Sequence, residues 1–237
     1  MTVTYNFLLV GLSALIAMLA SYTTLELVGW VTASRGFDRL LWLVMGATVM
    51  GIGIWSMHFI AMLAFSLPIS IGYDFVLVIV SLLVAVLGCG QALFIISRPT
   101  VTMPTLLAGS TCMGIAIAAM HYIGMAAMQL PANIHYKPKL FALSVAIAIA
   151  VSLVALRVSF EFREKIGIES SVGKIVSAIF MGAAVLSMHY TGMAAAIFQP
   201  TYNKVADLQN YGNYSLGLLI SLITLLLLTS SVYILKT

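Results

Sequence analysis

Three copies of one short motif hold most of the chain's histidines and methionines. The pattern is M-G-x5-M-H-[FY]-x-x-M, and its histidines are His58, His121 and His189. It contains nine of the fourteen methionines and three of the four histidines. On a helix, the histidine and the methionine four residues later lie on one face. Each copy therefore presents one ring nitrogen beside one thioether sulfur, which is half of a metal site.

These residue types favour a soft metal ion. Thioethers are neutral and poor hydrogen-bond partners, so they add little to a proton relay but suit Cu(I). Zinc prefers thiolates or carboxylates beside imidazole, and no acidic residue lies within the three motifs. Besides the histidines, the candidate ligands are the methionines one turn later, Met62, Met125 and Met193, and the methionines just before, Met57, Met120 and Met188. For the last three, packing between helices is an equally good interpretation.

Haem is the nearest rival cofactor, because two histidines, or a histidine and a methionine, can be its axial ligands. Haem uses two such ligands, whereas the motif occurs three times. It also needs a wide apolar slot, whereas small residues, Ala61, Gly124 and Gly192, stand three positions after the histidines. We therefore expect tightly packed helices around a copper site.

The composition places these motifs in a lipid bilayer. The chain has 237 residues, of which 62% are hydrophobic and 8% are charged, whereas about a quarter of the residues are charged in a typical soluble domain. The net charge of +4 is spread without a basic run, which gives no reason to expect nucleic acid binding. Cys89 and Cys112 lie within apolar segments, so we expect no disulfide framework.

Seven apolar segments are long enough, at roughly 20 residues, to cross the hydrocarbon core. They are residues 6–30, 40–65, 75–97, 104–129, 140–160, 172–198 and 214–235. Since backbone polar groups cannot be left unpaired in lipid, each segment is predicted to be a transmembrane helix. The predicted fold class is an all-α membrane protein with seven transmembrane helices.

The motif spacing divides the first six helices into three repeats. The second histidine follows the first by 63 residues, and the third follows the second by 68, which is one helical hairpin per repeat. We expect a single domain, 1–237, in which parallel hairpin repeats at 6–65, 75–129 and 140–198 are followed by a seventh helix at 214–235.

The same spacing predicts how the helices pack. If the three repeats surround a pseudo-threefold axis, their motif faces meet at that axis and the histidines share one depth. Small residues let membrane helices approach closely. The motif glycines, Gly51, Gly114 and Gly182, are therefore expected to be packing positions.

Positive charges predict the orientation in the membrane, because cytoplasmic loops are enriched in Lys and Arg. With the N-terminus outside, three of these residues are outside, namely Lys137, Lys139 and Lys204. Eight are then inside, namely Arg35, Arg39, Arg98, Arg157, Arg163, Lys165, Lys174 and Lys236. We predict that the N-terminus is outside, that the C-terminus is inside, and that the motif histidines lie in the outer leaflet.

At Met188-His189-Tyr190-Thr191 the chain resembles the MHYT domain, a bacterial integral-membrane sensory domain named after these four residues. The resemblance covers the three hairpin repeats and the seventh helix. It implies a copper site near the outer face of the bacterial inner membrane, with the nine histidines and methionines named above as ligands. Phe59 replaces the expected tyrosine in the first copy, and Ile60 and Ile123 replace a threonine, so a hydroxyl group is not a ligand common to all copies.

The resemblance also implies a function. Such domains are proposed to sense a diatomic gas (O2, CO or NO), and a redox state is a related signal. They are commonly fused to output domains that make or break cyclic di-GMP or to histidine kinases. Because the chain ends at Thr237, we expect a sensor module that is not itself an enzyme and that signals to a cytoplasmic output domain. The expected partners are the copper ion, the gas, that output domain and the lipid bilayer, with a second copy of the chain as a further candidate.

Two other functions stay open. A copper transporter or chaperone would also use thioethers, and internal repeats are common in transporters. The expected ligands, however, form one layer, without a methionine ladder in the inner half of the membrane. A membrane redox metalloenzyme would need an open metal position, but the motifs supply no acid or base beside it. The sequence therefore favours a sensor first, a transporter second and a redox enzyme third.

Overall fold

Six long apolar helices make up most of the part of the chain that the structure, a computed structural model, describes. The described residues are 4–68, 71–162, 168–200, 219, 220, 222–224, 226, 227 and 229. The helices are α1 Phe7–Ala33, α2 Gly36–Ala64, α3 Phe75–Ile96, α4 Met103–Ala126, α5 Pro138–Phe162 and α6 Ile168–Ala195. All six are long and apolar enough to cross a membrane. The chain is thus an all-helical, multi-pass membrane protein.

The predicted seventh helix, 214–235, lies for the most part outside the described residues. Those that are described between 219 and 229 are helical. Leu227 is buried and packs with Ala20, Leu27 and Val49, so this segment lies against α1 and α2.

Local sequence signals set several helix starts. The side chain of Asn6 accepts hydrogen bonds from the first turn of α1, Asp74 does so for α3, and Thr102 does so for α4. Such caps satisfy backbone N–H groups that have no partner within the helix. Gly36, with a φ of 58°, permits the tight reversal between α1 and α2.

The six helices form a closed ring, and every second helix lies nearer to its axis. Each helix packs against the next in sequence, and α1 packs against α6. The motif helices α2, α4 and α6 also contact one another, so they lie closest to the axis. An ion pair between Glu26 and Lys174, with 2.9 Å between Oε2 and Nζ, joins α1 to α6. Because α2, α4 and α6 contact one another, the three motif copies lie together in the interior of the bundle.

The three motif glycines lie where neighbouring helices approach closely. A Cβ added at any of them would stand 2.5 to 2.7 Å from an atom of the adjacent helix. The pairs are Gly51 with Val86, Gly114 with Ile149, and Gly182 with Met18. Each pair joins a motif helix to the helix that follows it, with α6 joined to α1, so larger side chains would force these helices apart.

Six short strands, which the sequence analysis did not predict, form three antiparallel pairs at one end of the bundle. The pairs are β1 (Thr4–Tyr5) with β2 (Phe65–Ser66), β3 (Gly72–Tyr73) with β4 (Met128–Gln129), and β5 (Ala132–Tyr136) with β6 (Ala196–Pro200). We call this the strand end and the opposite end the loop end. The motif helices stop before the predicted 65, 129 and 198 because the chain there leaves the helix to pair as β2, β4 and β6.

Candidate metal centre

The three motif histidines meet at the axis of the bundle, and we call them the histidine triad. His58, His121 and His189 project from α2, α4 and α6, and each is at most 1% exposed. The Nδ1 atom of His58 is 3.1 Å from that of His189 and 3.2 Å from that of His121. All three rings offer a ligand atom within 4.8 Å of the others. A tetrahedral ion with bonds of about 2.0 Å separates two ring nitrogens by about 3.3 Å, so the triad can hold a metal ion.

The hydrogen-bonding capacity of imidazole supports the same conclusion. A ring nitrogen carries either one proton or one lone pair in its plane. His58 Nδ1 therefore cannot satisfy both of the Nδ1 atoms that lie within hydrogen-bond distance of it. A cation at the centre accepts all three lone pairs at once. A bound metal ion would therefore satisfy the three ring nitrogens, whereas hydrogen bonds among the rings cannot satisfy all of them.

The second nitrogen of each ring, Nε2, lies in a packed environment without a polar partner among the described residues. Among the described residues, none of the three Nε2 atoms has a hydrogen-bond partner, although all are buried. Gly124 lies against Nε2 of His58, and Gly192 lies against Nε2 of His121, so closely that an added Cβ would clash with the ring. The glycines after the second and third histidines therefore make room for the imidazole of the preceding repeat.

The six candidate methionine ligands flank the triad in two groups. Met62, Met125 and Met193, at most 5% exposed, belong to one cluster at the strand end. The second group, Met57, Met120 and Met188, is at most 2% exposed and belongs to the main core of the bundle. Their burial agrees with ligation and with packing alike, so ligand roles for the methionines remain a prediction.

Three tyrosines that the sequence analysis missed pack against the methionine cluster at the strand end, and we call them the tyrosine cap. They are Tyr5, Tyr73 and Tyr136, each two residues before an odd-numbered helix begins. Each meets the aromatic residue that follows a motif histidine, edge to face, with ring centroids 5.1 to 5.9 Å apart. The pairs are Tyr5 with Tyr190, Tyr73 with Phe59, and Tyr136 with Tyr122. The repeated placement of a tyrosine before α1, α3 and α5 is a signal that could have revealed the cap.

Residues 51–109 and 114–168 match the model of a protein family, MHYT, described as the bacterial signalling protein N terminal repeat. The chain belongs to the MHYT family. The matched ranges contain the first two motif copies except for their leading methionines, Met50 and Met113. The third copy lies beyond them, yet its His189 joins the triad beside His58. The geometry therefore extends the MHYT pattern through all three repeats.

Curated relatives of this MHYT chain are signalling proteins. It is 47% identical over 195 residues to the bifunctional diguanylate cyclase/cyclic di-GMP phosphodiesterase MucR of Pseudomonas aeruginosa, an alignment covering 82% of this chain and 28% of MucR. It is 44% identical over 197 residues to the signalling protein YkoW of Bacillus subtilis, covering 83% of this chain and 24% of YkoW. The cyclic di-GMP phosphodiesterase NbdA of P. aeruginosa is 40% identical over 206 residues, covering 87% of this chain and 26% of NbdA. The chain thus spans about a quarter of the length of these relatives, and no solved structure matches it.

The tyrosine cap of this MHYT domain is uncharged near neutral pH. Burial, and to a smaller extent the neighbouring Tyr122, raise the pKa of Tyr136 to about 12. Burial also raises the pKa of Tyr73, and burial with a contribution from Tyr190 raises that of Tyr5. The cap therefore places no negative charge beside the methionine cluster at the strand end.

Proposed function

We propose that this chain is the membrane sensory domain of a longer signalling protein and that its histidine triad binds copper. The observation that carries the proposal is the convergence of three buried Nδ1 atoms, two of whose spacings are 3.1 and 3.2 Å. The proposed signal is a diatomic gas, O2, CO or NO, or a change of redox state. The proposed receiver is a cytoplasmic output domain that acts on cyclic di-GMP or resembles a histidine kinase.

The residue types around the triad support copper over other metals. Three neutral imidazoles provide nitrogen, and the methionine cluster at the strand end provides neutral sulfur. The group of possible metal-binding side chains found in the described residues contains histidines and no carboxylate. Nitrogen with thioether sulfur is a ligand set that copper accepts readily. When bound, copper would supply a coordination position that a diatomic gas can occupy.

The relatives support a role in signalling. MucR and NbdA are named as enzymes of cyclic di-GMP turnover, and the region similar to this chain is about a quarter of each. A sensor in this region needs a path from the triad to the other membrane face. The helices α2, α4 and α6 supply one, because each runs from the loop end to the triad. The proposed location is the bacterial inner membrane. The distribution of Lys and Arg supports an orientation with the strand end outside and the loop end in the cytoplasm.

The methionines one turn after the histidines provide the proposed switch. Thioethers are weaker ligands than imidazoles, so one of Met62, Met125 and Met193 is the group that gives way while the histidines hold. Its release frees the strand end of one motif helix to slide or rotate. A ligand shifts such an equilibrium only by its difference in affinity for the two states. A shift of about 5- to 150-fold needs about 1 to 3 kcal/mol, which one lost ligand bond can supply.

Copper binding by single-histidine variants tests the proposal. His58→Ala, His121→Ala and His189→Ala chains, purified in detergent, are titrated with Cu(I) against a competing chelator. Loss of an outer-shell partner alone weakens metal binding by about 10- to 100-fold, so loss of a ligand should weaken it at least as much. The matched control is His135→Ala, because His135 is the fourth histidine and is exposed in β5. Unchanged copper affinity in all three triad variants would rule out the site.

A further inference from the structure

A second convergence of soft side chains lies in the loop-end half of the bundle. The first methionines of the three motif copies, Met50, Met113 and Met181, line one cavity of about 20 Å³. Cys89 adds a fourth sulfur to its wall, and Ile96 and Ser159 border it towards the loop end. A cavity needs about 10 to 15 Å³ to hold one water molecule, so this one has room for a single small ion or molecule. We call it the sulfur cavity.

We propose that the sulfur cavity is a second metal site, which takes a soft monovalent cation, Cu(I) or Ag(I), through the thioethers of Met50, Met113 and Met181. This site goes beyond the proposed sensor, because it uses none of the histidines and does not depend on gas binding. Its lining contains no carboxylate or imidazole. Neutral sulfur ligands favour soft cations over Zn²⁺ or Mg²⁺.

The sulfur cavity is separate from the histidine triad. In each copy the first methionine stands eight residues before the histidine, which is about 12 Å along a helix at about 1.5 Å per residue. Between the two layers stand three buried apolar side chains, Ile54, Ile117 and Val185. One ion cannot contact both layers at that distance. Any ion in the cavity is therefore additional to an ion at the triad.

Packing alone does not explain the arrangement. Methionine often fills gaps between helices because its side chain is long and flexible. Here three methionines from three different helices, each at most 6% exposed, border a space that they leave open. The three methionine side chains thus converge on one space. The sequence analysis placed the ligands in one layer, and the cavity adds a second layer of candidate ligands in the other half of the bundle.

Metal stoichiometry of the purified chain tests the proposal. The chain is titrated anaerobically with Cu(I) against a chelator, alongside a Met50→Leu/Met113→Leu/Met181→Leu variant, which removes three sulfurs at similar volume. The parent should bind two ions and the variant one. The control is Met45→Leu/Met103→Leu/Met128→Leu, which removes three methionines outside the motifs and should keep two. Equal stoichiometry and affinity in the parent and the cavity variant would overturn the proposal.

A second measurement separates this site from the triad. A His58→Ala/His121→Ala/His189→Ala variant should keep one Cu(I), and its X-ray absorption spectrum should show sulfur scatterers without imidazole. No copper in a folded triple-histidine variant would overturn the sulfur cavity as an independent site and leave the triad standing. If the triple-leucine variant does not fold, Met113→Leu alone should weaken the second ion by about tenfold or more. Binding of xenon to the cavity with no second metal ion would identify an apolar gas pocket and also overturn the proposal.

Discussion

The histidine triad and the sulfur cavity use side chains from the same three helices, α2, α4 and α6, about two helical turns apart. The triad packs its rings against one another and against Gly124 and Gly192, with ring centroids 4.9 to 5.1 Å apart. The cavity, by contrast, keeps an open space among flexible side chains. One repeated motif therefore produces a closely packed nitrogen layer of histidines near the strands and, near the loops, a sulfur layer of methionines around an open space.

The surroundings of the two layers differ in the same way. Three strand pairs and the tyrosine cap close the bundle at the strand end, where the cap packs against the methionine cluster. The side chains that border the cavity towards the loop end are Ile96 and Ser159, which lie near the ends of α3 and α5. The comparison shows that backbone pairing and aromatic contacts close the strand end, whereas the loop-end half keeps an open space between its helices.

The largest effect is expected from breaking the helix contacts that both layers share. In a Gly114→Leu chain the new side chain meets the backbone of Ile149, where an added Cβ already stands 2.5 Å from Cα. Overpacking of this kind costs about 1 to 3 kcal/mol or more, so the melting temperature in detergent should fall by several degrees at least. Gly11→Leu is the control, because a Cβ there meets nothing within 4 Å. Equal melting temperatures for the two variants would show that α4 and α5 do not depend on this contact.

A smaller and more local effect is expected when only the nitrogen layer is disturbed. In a Gly124→Ala chain the added methyl group displaces the imidazole of His58, because a Cβ there clashes with Nε2. Copper affinity at the triad should fall by about tenfold, which is about 1.4 kcal/mol, while the second ion in the sulfur cavity stays. Gly90→Ala, whose Cβ would stand 3.4 Å from Ala47 Cβ, serves as the matched control. Loss of both ions together would mean that the layers are not independent.

The third prediction tests the thioethers that stand on the strand side of the triad. Met62→Leu, Met125→Leu and Met193→Leu chains should keep most of their copper, because the three imidazoles remain. A cytoplasmic reporter fused after Thr237 should nevertheless respond differently to O2, CO or NO. Met128→Leu is the control, because Met128 belongs to the same buried cluster but stands outside the motif. Parent-like copper content and parent-like gas response in all three variants would reject thioether release as the switch.

Sequence alone could predict the parts of this structure that repeat over long distances. Apolar segments of membrane length predicted six of the helices that the structure describes. The three motif copies predicted that His58, His121 and His189 would meet, because equal spacing in parallel repeats brings equal positions to one axis. Family membership was predicted from the third copy and is confirmed by the match to the first two.

The remaining features depend on short-range packing that a sequence pattern does not carry. The strands are two to five residues long, too short for an alternation of polar and apolar residues to show. Ala92, Ala155 and Leu156 line the sulfur cavity beside the three methionines, and no spacing in the sequence relates these neighbours to the motif. The motif methionines could be recognised in the sequence, but the cavity between them could not be predicted from it.

The smallest effect is expected from the tyrosine cap and distinguishes the strand end from the rest of the bundle. The pKa of Tyr136 is raised to about 12 by burial and by Tyr122, from an ordinary value of about 10. A raised phenol pKa means that folding favours the neutral form. This contribution to stability is complete below about pH 10 and is lost as the pH rises towards about 12. The melting temperature of the parent chain should therefore fall between these values.

A Tyr136→Phe variant should show a shallower fall over that pH range, because the phenyl ring keeps the contact with Tyr122 but cannot ionise. Other tyrosines, including Tyr5 and Tyr73, keep part of the pH dependence, so the expected difference is a few degrees at most. Ile134→Val, in the same strand, changes packing without removing a phenol and should keep the parent's slope. If Tyr136→Phe also keeps that slope, the cap is solvated rather than packed. The strand end would then lack the close packing that distinguishes it from the loop-end half.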